Sequence, residues 1–211
     1  MNASKNDSAN DKTTTEENSS KSIFESIMVE LSQAFKDEIA ETDRYLKAIR
    51  PLKFKRAIDR KAGKITYVAA DYGVSYMFKI SDDRLDHNFQ WYIVYNGKPE
   101  TWHRKADYME ETLVEIAKND YPLAGRIYDS LRICPGFDNC YGERCLARTP
   151  YAFDGQKRLT CHGKVELGTS GDDFRDAREF FRYFNELIKG KIANGEPLPE
   201  KIIVCETKRS L

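Results

Sequence analysis

The chain has 211 residues, with 34 basic and 34 acidic side chains, and is formally neutral at pH 7. Hydrophobic residues make up 40% and charged residues 32%, a very polar composition that still supports a globular core. Neutrality argues against a chain that binds polyanions with its whole surface. No apolar run approaches the ~20 residues of a membrane-spanning helix.

Residues 1–21, MNASKNDSANDKTTTEENSSK, are almost entirely polar. Such a segment buries too little apolar surface to offset its ordering entropy, so it reads as a disordered tail. It has no apolar core of the kind a signal peptide needs, and a cytoplasmic protein is the expectation. In that compartment the five cysteines favour free thiols or metal ligands over disulfides. Residues 22–211 read as one α+β domain.

Ser22 and Glu25 have capping-box spacing, and Ile23, Ile27, Leu31 and Phe35 repeat every four residues. The pattern predicts an amphipathic helix from Ser22 to about Ala48, stopped by Pro51. From Leu52 to His103 the period falls to two. LKFKRAI, ITYVAADY, VSYMFKI and FQWYIVY read as strands, separated by DRKAGK, the Tyr72–Gly73 step and SDDRLDHN. Asn96–Gly97 is a strong hairpin signal, with a short strand expected near Glu100–His103.

Helix returns at Asp107, with Met109, Leu113 and Ile116 inward, and again after Pro122, with Leu123, Ile127 and Leu131 inward. Asp154–Gly155 centres a hairpin. Ser170 opens a last long helix striped by Phe174, Ala177, Phe181, Phe184 and Ile188, with Gly190 as its expected cap. KIIVCE, residues 201–206, is a closing strand. The expected architecture is an antiparallel meander of roughly four to six strands covered on one face by three or four helices. A cysteine-rich loop and a hairpin belong to its C-terminal third.

Four of the five cysteines fall between Cys134 and Cys161, at the spacing Cys134-x5-Cys140-x4-Cys145-x15-Cys161, and His162 follows. A structural zinc site takes four thiolate or imidazole ligands in a tetrahedron. Cys134, Cys140, Cys145 and Cys161 are the candidate set, although the usual paired C-x-x-C spacing is absent. On a strand Cys161 and His162 point to opposite faces, so both join one site only if Gly163 marks a bulge. The competing readings are Cys161 as a small core residue and a thiol nucleophile activated by Arg144, Arg148, Lys157, Arg158 or Lys164. Cys205, in an apolar strand, reads as core.

Trp91, Tyr92, Trp102 and His103 form the candidate ligand-binding cluster, because aromatic walls with a few polar groups describe many small-molecule sites. Residues 44–64 carry nine Lys/Arg and one acid, whereas residues 1–43 carry four basic and ten acidic residues. A basic row with Tyr45, Phe54 and Tyr67 nearby is a possible phosphate surface, or a solvated edge strand whose lysines block aggregation. His87 stands in SDDRLDHN beside Asp82, Asp83 and Asp86, a grouping suited to cation binding or acid–base work.

No Walker loop, Rossmann glycine pattern, HExxH or GxSxG is present. The leading expectation is therefore a non-enzymatic binding module for a small molecule or protein partner, with zinc in the cysteine loop. The alternatives are an enzyme using a cysteine or histidine of residues 134–162, and nucleic-acid or anionic-surface binding through residues 44–64.

Overall fold

The computed structural model describes residues 24–26, 28, 31–81, 84–91, 93–95, 101–104, 108–136, 148–196 and 202–206. The period-two stretch folds as strands β1 (Lys55–Asp59), β2 (Lys64–Ala69), β3 (Val74–Ser81) and β4 (Arg84–Trp91). Successive strands pair antiparallel. In such a ladder directly opposed residues share a face. Ile65 opposes Phe78 on the neighbouring strand, and Tyr67 opposes Tyr76. Tyr76 in turn opposes Phe89, and Val74 opposes Trp91. All of these side chains are fully buried. Thr66, Met77, Asn88 and Gln90 belong to the other face.

Helix α1 (Gln33–Ala48) precedes the sheet. Its start differs from the expected one at Ser22, which lies outside the described residues. The Ser32 hydroxyl accepts the Phe35 N–H at 3.4 Å and caps the helix there. Phe24, Met28 and Leu31 are nevertheless buried, through turns in which Met28 N–H donates to the Glu25 carbonyl and Leu31 N–H to that of Met28. Of the four-residue repeat Leu31 is buried and Phe35 partly so, Ile23 and Ile27 lie outside the described residues, and the helix is not continuous through Leu31 and Ser32.

After β4 come β5 (Ile93–Tyr95) and β6 (Thr101–Arg104), then helices α2 (Met109–Asn119) and α3 (Tyr121–Asp129). The expected cap Asp107 lies outside the described residues. Asp120 caps α3 by accepting the Leu123 N–H at 3.0 Å. Strand β7 (Leu131–Ile133) follows, then β8 (Arg148–Phe153) and β9 (Gln156–Leu167), which form the hairpin around Asp154–Gly155. Both turn residues have positive φ, as a two-residue turn between twisted strands requires. Helix α4 (Gly171–Ala193) and strand β10 (Ile202–Glu206) complete the order.

The strands number more than the expected four to six. A seven-stranded antiparallel sheet runs β1-β2-β3-β4-β9-β7, with β8 also on β9, and a separate three-stranded sheet runs β10-β6-β5. The excess has a physical cause in β9. At 12 residues it is long enough to pair with β4, β7 and β8 along different parts of its length. The Asn96–Gly97 turn lies outside the described residues, but the strands flanking it do pair antiparallel.

Helix α4 organises the covered face. Ser170 and Asp173 form a reciprocal capping box at its start. Phe174, Phe180, Phe181 and Phe184 are buried against the sheet aromatics. Phe180 stacks on Phe89 with ring centroids 4.3 Å apart, and Phe181 meets Tyr76 edge-on at 5.8 Å. The helix runs on through Gly190 to an Asn194 cap, so Gly190 is not its end. Ion pairs tie α4 to its neighbours. Arg178 donates to Glu38 of α1 at 2.7 Å, Arg126 of α3 to Asp176 at 2.6 and 2.8 Å, and Lys191 pairs with Glu111 of α2 at 2.8 Å. Among the described residues no helix is long and apolar enough to cross a membrane.

One bulge matters for the site. Leu131 opposes Val165 and Ile133 opposes Thr160, so β9 carries extra residues between these pairs. Gly163 lies in this stretch with φ +58°, and a Cβ there would run into the Tyr151 hydroxyl. Gly163→Ala is expected to cost about 2 kcal/mol, combining left-handed backbone strain with overpacking of the buried Tyr151. Urea unfolding of this variant against wild type measures it.

Candidate functional site

Thr160 opposes Ile133 on one side and Thr149 on the other, so β7 and β8 flank β9 on opposite edges. Cys134 continues β7 and donates its N–H to the Leu159 carbonyl at 2.8 Å, which places it opposite Leu159. Leu159 and Cys161 lie two apart on β9 and share a face. Arg148 lies directly opposite Cys161 across the β8–β9 ladder. Cys134, Cys161 and Arg148 therefore belong to one face of the sheet, that of the exposed Pro150 and Leu159.

Strands stand ~4.8 Å apart, so β8 and β7 are ~10 Å from each other across β9. Only a long side chain bridges that gap. Arg148 does so, and its Nε–H donates to Cys134 Sγ at 3.3 Å. The Gly136 backbone N–H donates to the same sulfur. These two donors, Gly136 first and Arg148 second, hold the Cys134 thiol below the ordinary thiol range. Cys134 and Cys161 are both free thiols of intermediate exposure.

By register Cys134 and Cys161 lie on one face of the sheet, at diagonal positions on neighbouring strands. Cys140 and Cys145 lie outside the described residues. Among the described residues no group of three or more His, Cys, Asp or Glu side chains is placed to hold a metal ion. Gly163 does mark a bulge, the condition under which Cys161 and His162 were expected to share a site. The His162 side chain lies outside the described residues, as do those of Cys205 and of Arg144 in the thiol-enzyme reading.

His87 departs from its expected place in a turn. It sits inside β4, opposite Phe78, and is 1% exposed. The turn is shorter than it looked, because Ser81 already pairs with Arg84. Asp82 and Asp83 lie outside the described residues, and Asp86 is exposed on the opposite face. His87 Nε2 contacts the Gly168 carbonyl, and Nδ1 lies 2.7 Å from the Tyr76 hydroxyl. A carbonyl only accepts, so Nε2 carries the hydrogen and Nδ1 accepts from Tyr76. The ring also stacks on Phe174 at 4.3 Å. Burial pushes its pKa down to about 4, against the opposing effects of Gly168, Asp173 and Asp86. With both nitrogens engaged, His87 is a core histidine.

Trp91 is fully buried, edge-on to Phe180 at 6.0 Å and packed against Phe184 at 5.8 Å. It lies on the face that α4 covers and serves the core instead of an open aromatic wall. Tyr92 lies outside the described residues. Trp102 and His103 are on β6, between β5 and β10, with only their backbone described.

In the basic stretch several cations are engaged within the fold. Arg56 pairs with Asp43 at 3.0 Å and lies over Phe24, and Lys47 is 3.7 Å from Asp43. Arg50 donates to the Lys47 and Ile49 carbonyls, and Arg60 to Ser26. These contacts spend part of the charge on internal packing.

A cleft of about 300 Å³ lies between α2 and the end of α4, lined by Glu115, Leu187, Gly190, Lys191, Asn194 and Glu196. Its charges are paired locally: Glu115 with Lys118, and Lys191 with Glu111 and Glu196. Comparison with family models, with curated proteins and with solved structures gave no match, so the reading of this chain rests on its own geometry.

Proposed function

We propose that the chain is a non-enzymatic binding module whose cysteine segment is stapled by a structural zinc ion. Cys134 and Cys161 are its ligands from the sheet, and Cys140 and Cys145 of the intervening sequence complete the set. The observation that carries this reading is the pair of N–H donors on Cys134 Sγ, with Cys161 on the same face. Hydrogen bonds from backbone and guanidinium groups are the usual outer support of metal-bound ligands. Four thiolates around Zn²⁺ leave a net charge of −2, which the Arg148 cation offsets.

The partner surface in this reading is the face of the seven-stranded sheet opposite α4, where Thr66, Val68, Met77 and Gln90 are partly exposed. It suits a protein or a small polar molecule better than an apolar ligand, since the aromatics of β2–β4 face the helices. Nucleic acid is the less favoured partner, because Arg50, Arg56 and Arg60 are held by contacts within the fold.

Zinc binding by variants tests the staple. Cys134→Ser and Cys161→Ser are each expected to lower zinc affinity by about 100-fold or more, as competition with a chromophoric chelator reads it. Cys205→Ser is expected to bind as wild type. Equal zinc binding by all three variants would remove Cys134 and Cys161 from the site.

A further inference from the structure

The stretch from Ser22 to Ala48 contains no glycine and no proline, so its covalent chain holds no helix breaker. The structure interrupts it all the same. Ser32 has φ −59° and ψ 155°, outside the helical region, and α1 starts afresh behind it. The inward pattern runs straight across the interruption. Phe24, Met28, Leu31, Phe35, Ile39, Thr42 and Leu46 follow one another at steps of four and three, the spacing of a single helical stripe. Phe35 is partly buried and the others are buried. An unbroken helix would therefore present the same side chains that the broken one buries.

Phe24, Ser26, Met28 and Leu31 mark an arm that precedes α1. The Arg56 guanidinium of β1 lies 4.7 Å over the Phe24 ring, and Arg60, in the β1–β2 turn, donates to the Ser26 hydroxyl at 3.2 Å. At the junction the Ser32 hydroxyl accepts the Phe35 N–H at 3.4 Å, the long end of the hydrogen-bond range. The Lys36 N–H already bonds the Ser32 carbonyl at 3.1 Å, as an unbroken helix requires. Straightening the junction thus gives up a weak cap and keeps the first turn of α1.

We infer that this arm exchanges between two copies of the chain. Residues 24–31 of one copy take the seat of the same residues in the other, and residues 22–48 become one helix in each. The added residues 22–31 extend α1 by about 15 Å, which carries the anchors off their own domain. The partner follows from identity. The seat already fits this segment, so a second copy meets it with the same anchors, with Arg56 and Arg60 supplied by the other chain. Exchange of this kind preserves the arm contacts and changes only the junction, so the junction decides between monomer and dimer.

The experiment uses the full chain, held in urea just below its unfolding midpoint, returned to buffer and weighed by light scattering on a sizing column. Wild type is expected to give a dimer that reverts slowly on dilution, because the arm must leave its seat before it exchanges. Ser32→Ala removes the cap of the broken form and favours the unbroken helix. It is expected to raise the dimerisation constant about 25-fold, about fivefold at each of the two junctions. Ser32→Pro is expected to abolish the dimer. Its ring accepts the φ of −59° found in the broken form, but inside a helix it clashes with the carbonyl four residues back. Opposite responses at one residue separate arm exchange from the docking of two closed copies, which neither substitution would touch, and from a general loss of stability, which would move both variants the same way. A Ser32→Ala variant that stays monomeric, or a dimer that Ser32→Pro leaves in place, would overturn the inference.

Discussion

Phe181→Ala is expected to lower unfolding free energy by about 4 kcal/mol, a large share of the roughly 5–15 kcal/mol that holds a domain together. The side chain is 1% exposed and stands where three parts of the core meet. Its ring lies 5.1 Å from Phe54, 5.8 Å from Tyr76, 5.2 Å from Phe89 and 5.5 Å from Phe180. Truncation removes contacts to the chain before β1, to β3, to β4 and to α4 itself. Those partners are on rigid elements and cannot collapse into the space. The loss should appear in urea as a lower midpoint with unchanged slope, and in a thermal scan as a fall of roughly 10 °C. Phe181→Leu should cost much less, because most of the volume is kept. A loss below about 1 kcal/mol for the alanine variant would mean that α4 does not close the core.

The second large effect is the pH dependence set by His87. Its folded pKa of about 4 lies below the ordinary 6.5, so the native state holds the ring neutral. The unfolded chain takes up the proton first as pH falls. Stability is therefore complete above about pH 6.5, declines between about 6.5 and 4, and levels off once both states are protonated. The span amounts to about 3 kcal/mol at 1.36 kcal/mol per unit. Asp173 and Glu166 act in the same direction, at lower pH. Ser170 and Gly168 groups hold Asp173 low, and Lys164 and Arg132 hold Glu166 low, in each case against burial. Their contribution is present above the unfolded carboxylate pKa and is lost as pH falls through their lowered values. Urea midpoints of wild type and His87→Gln across pH 4–7 separate the two. The variant should start lower and stay nearly flat above pH 5, where wild type slopes. Parallel curves would contradict a buried neutral His87.

Much of this fold was legible because its elements announce themselves locally. The α4 stripe, the Ser170–Asp173 cap, the Asp154–Gly155 turn and the alternation of β2 and β3 depend on neighbours in sequence. Other features depend on partners far along the chain. Leu85, His87, Phe89 and Trp91 alternate inward, but Asp82, Asp83 and Asn88 around them read as a loop. His87 is admitted to the core by Tyr76 and the Gly168 carbonyl, neither of which is nearby in sequence. Trp91 reads equally as a pocket wall or as core, and Phe180 and Phe184 of α4 decide for core.

The site shows the same division. The cysteine spacing names Cys134, Cys140, Cys145 and Cys161; the β7–β9 register puts Cys134 and Cys161 on one face, and Cys140 and Cys145 lie outside the described residues. Arg148 stood in the sequence as one of several basic residues. Its singular position comes from the β8–β9 pairing that aims it across β9 at Cys134. The bulge at Gly163 had a sequence signal in the glycine itself.

Metal content of the protein, purified without a polyhistidine tag and without added zinc, tests the central claim most directly. Elemental analysis is expected to find about one zinc per chain, removed by a strong chelator together with the protection of Cys134 and Cys161 from alkylation. Less than about a tenth of an equivalent of any transition metal, with both thiols freely alkylated from the outset, would contradict it.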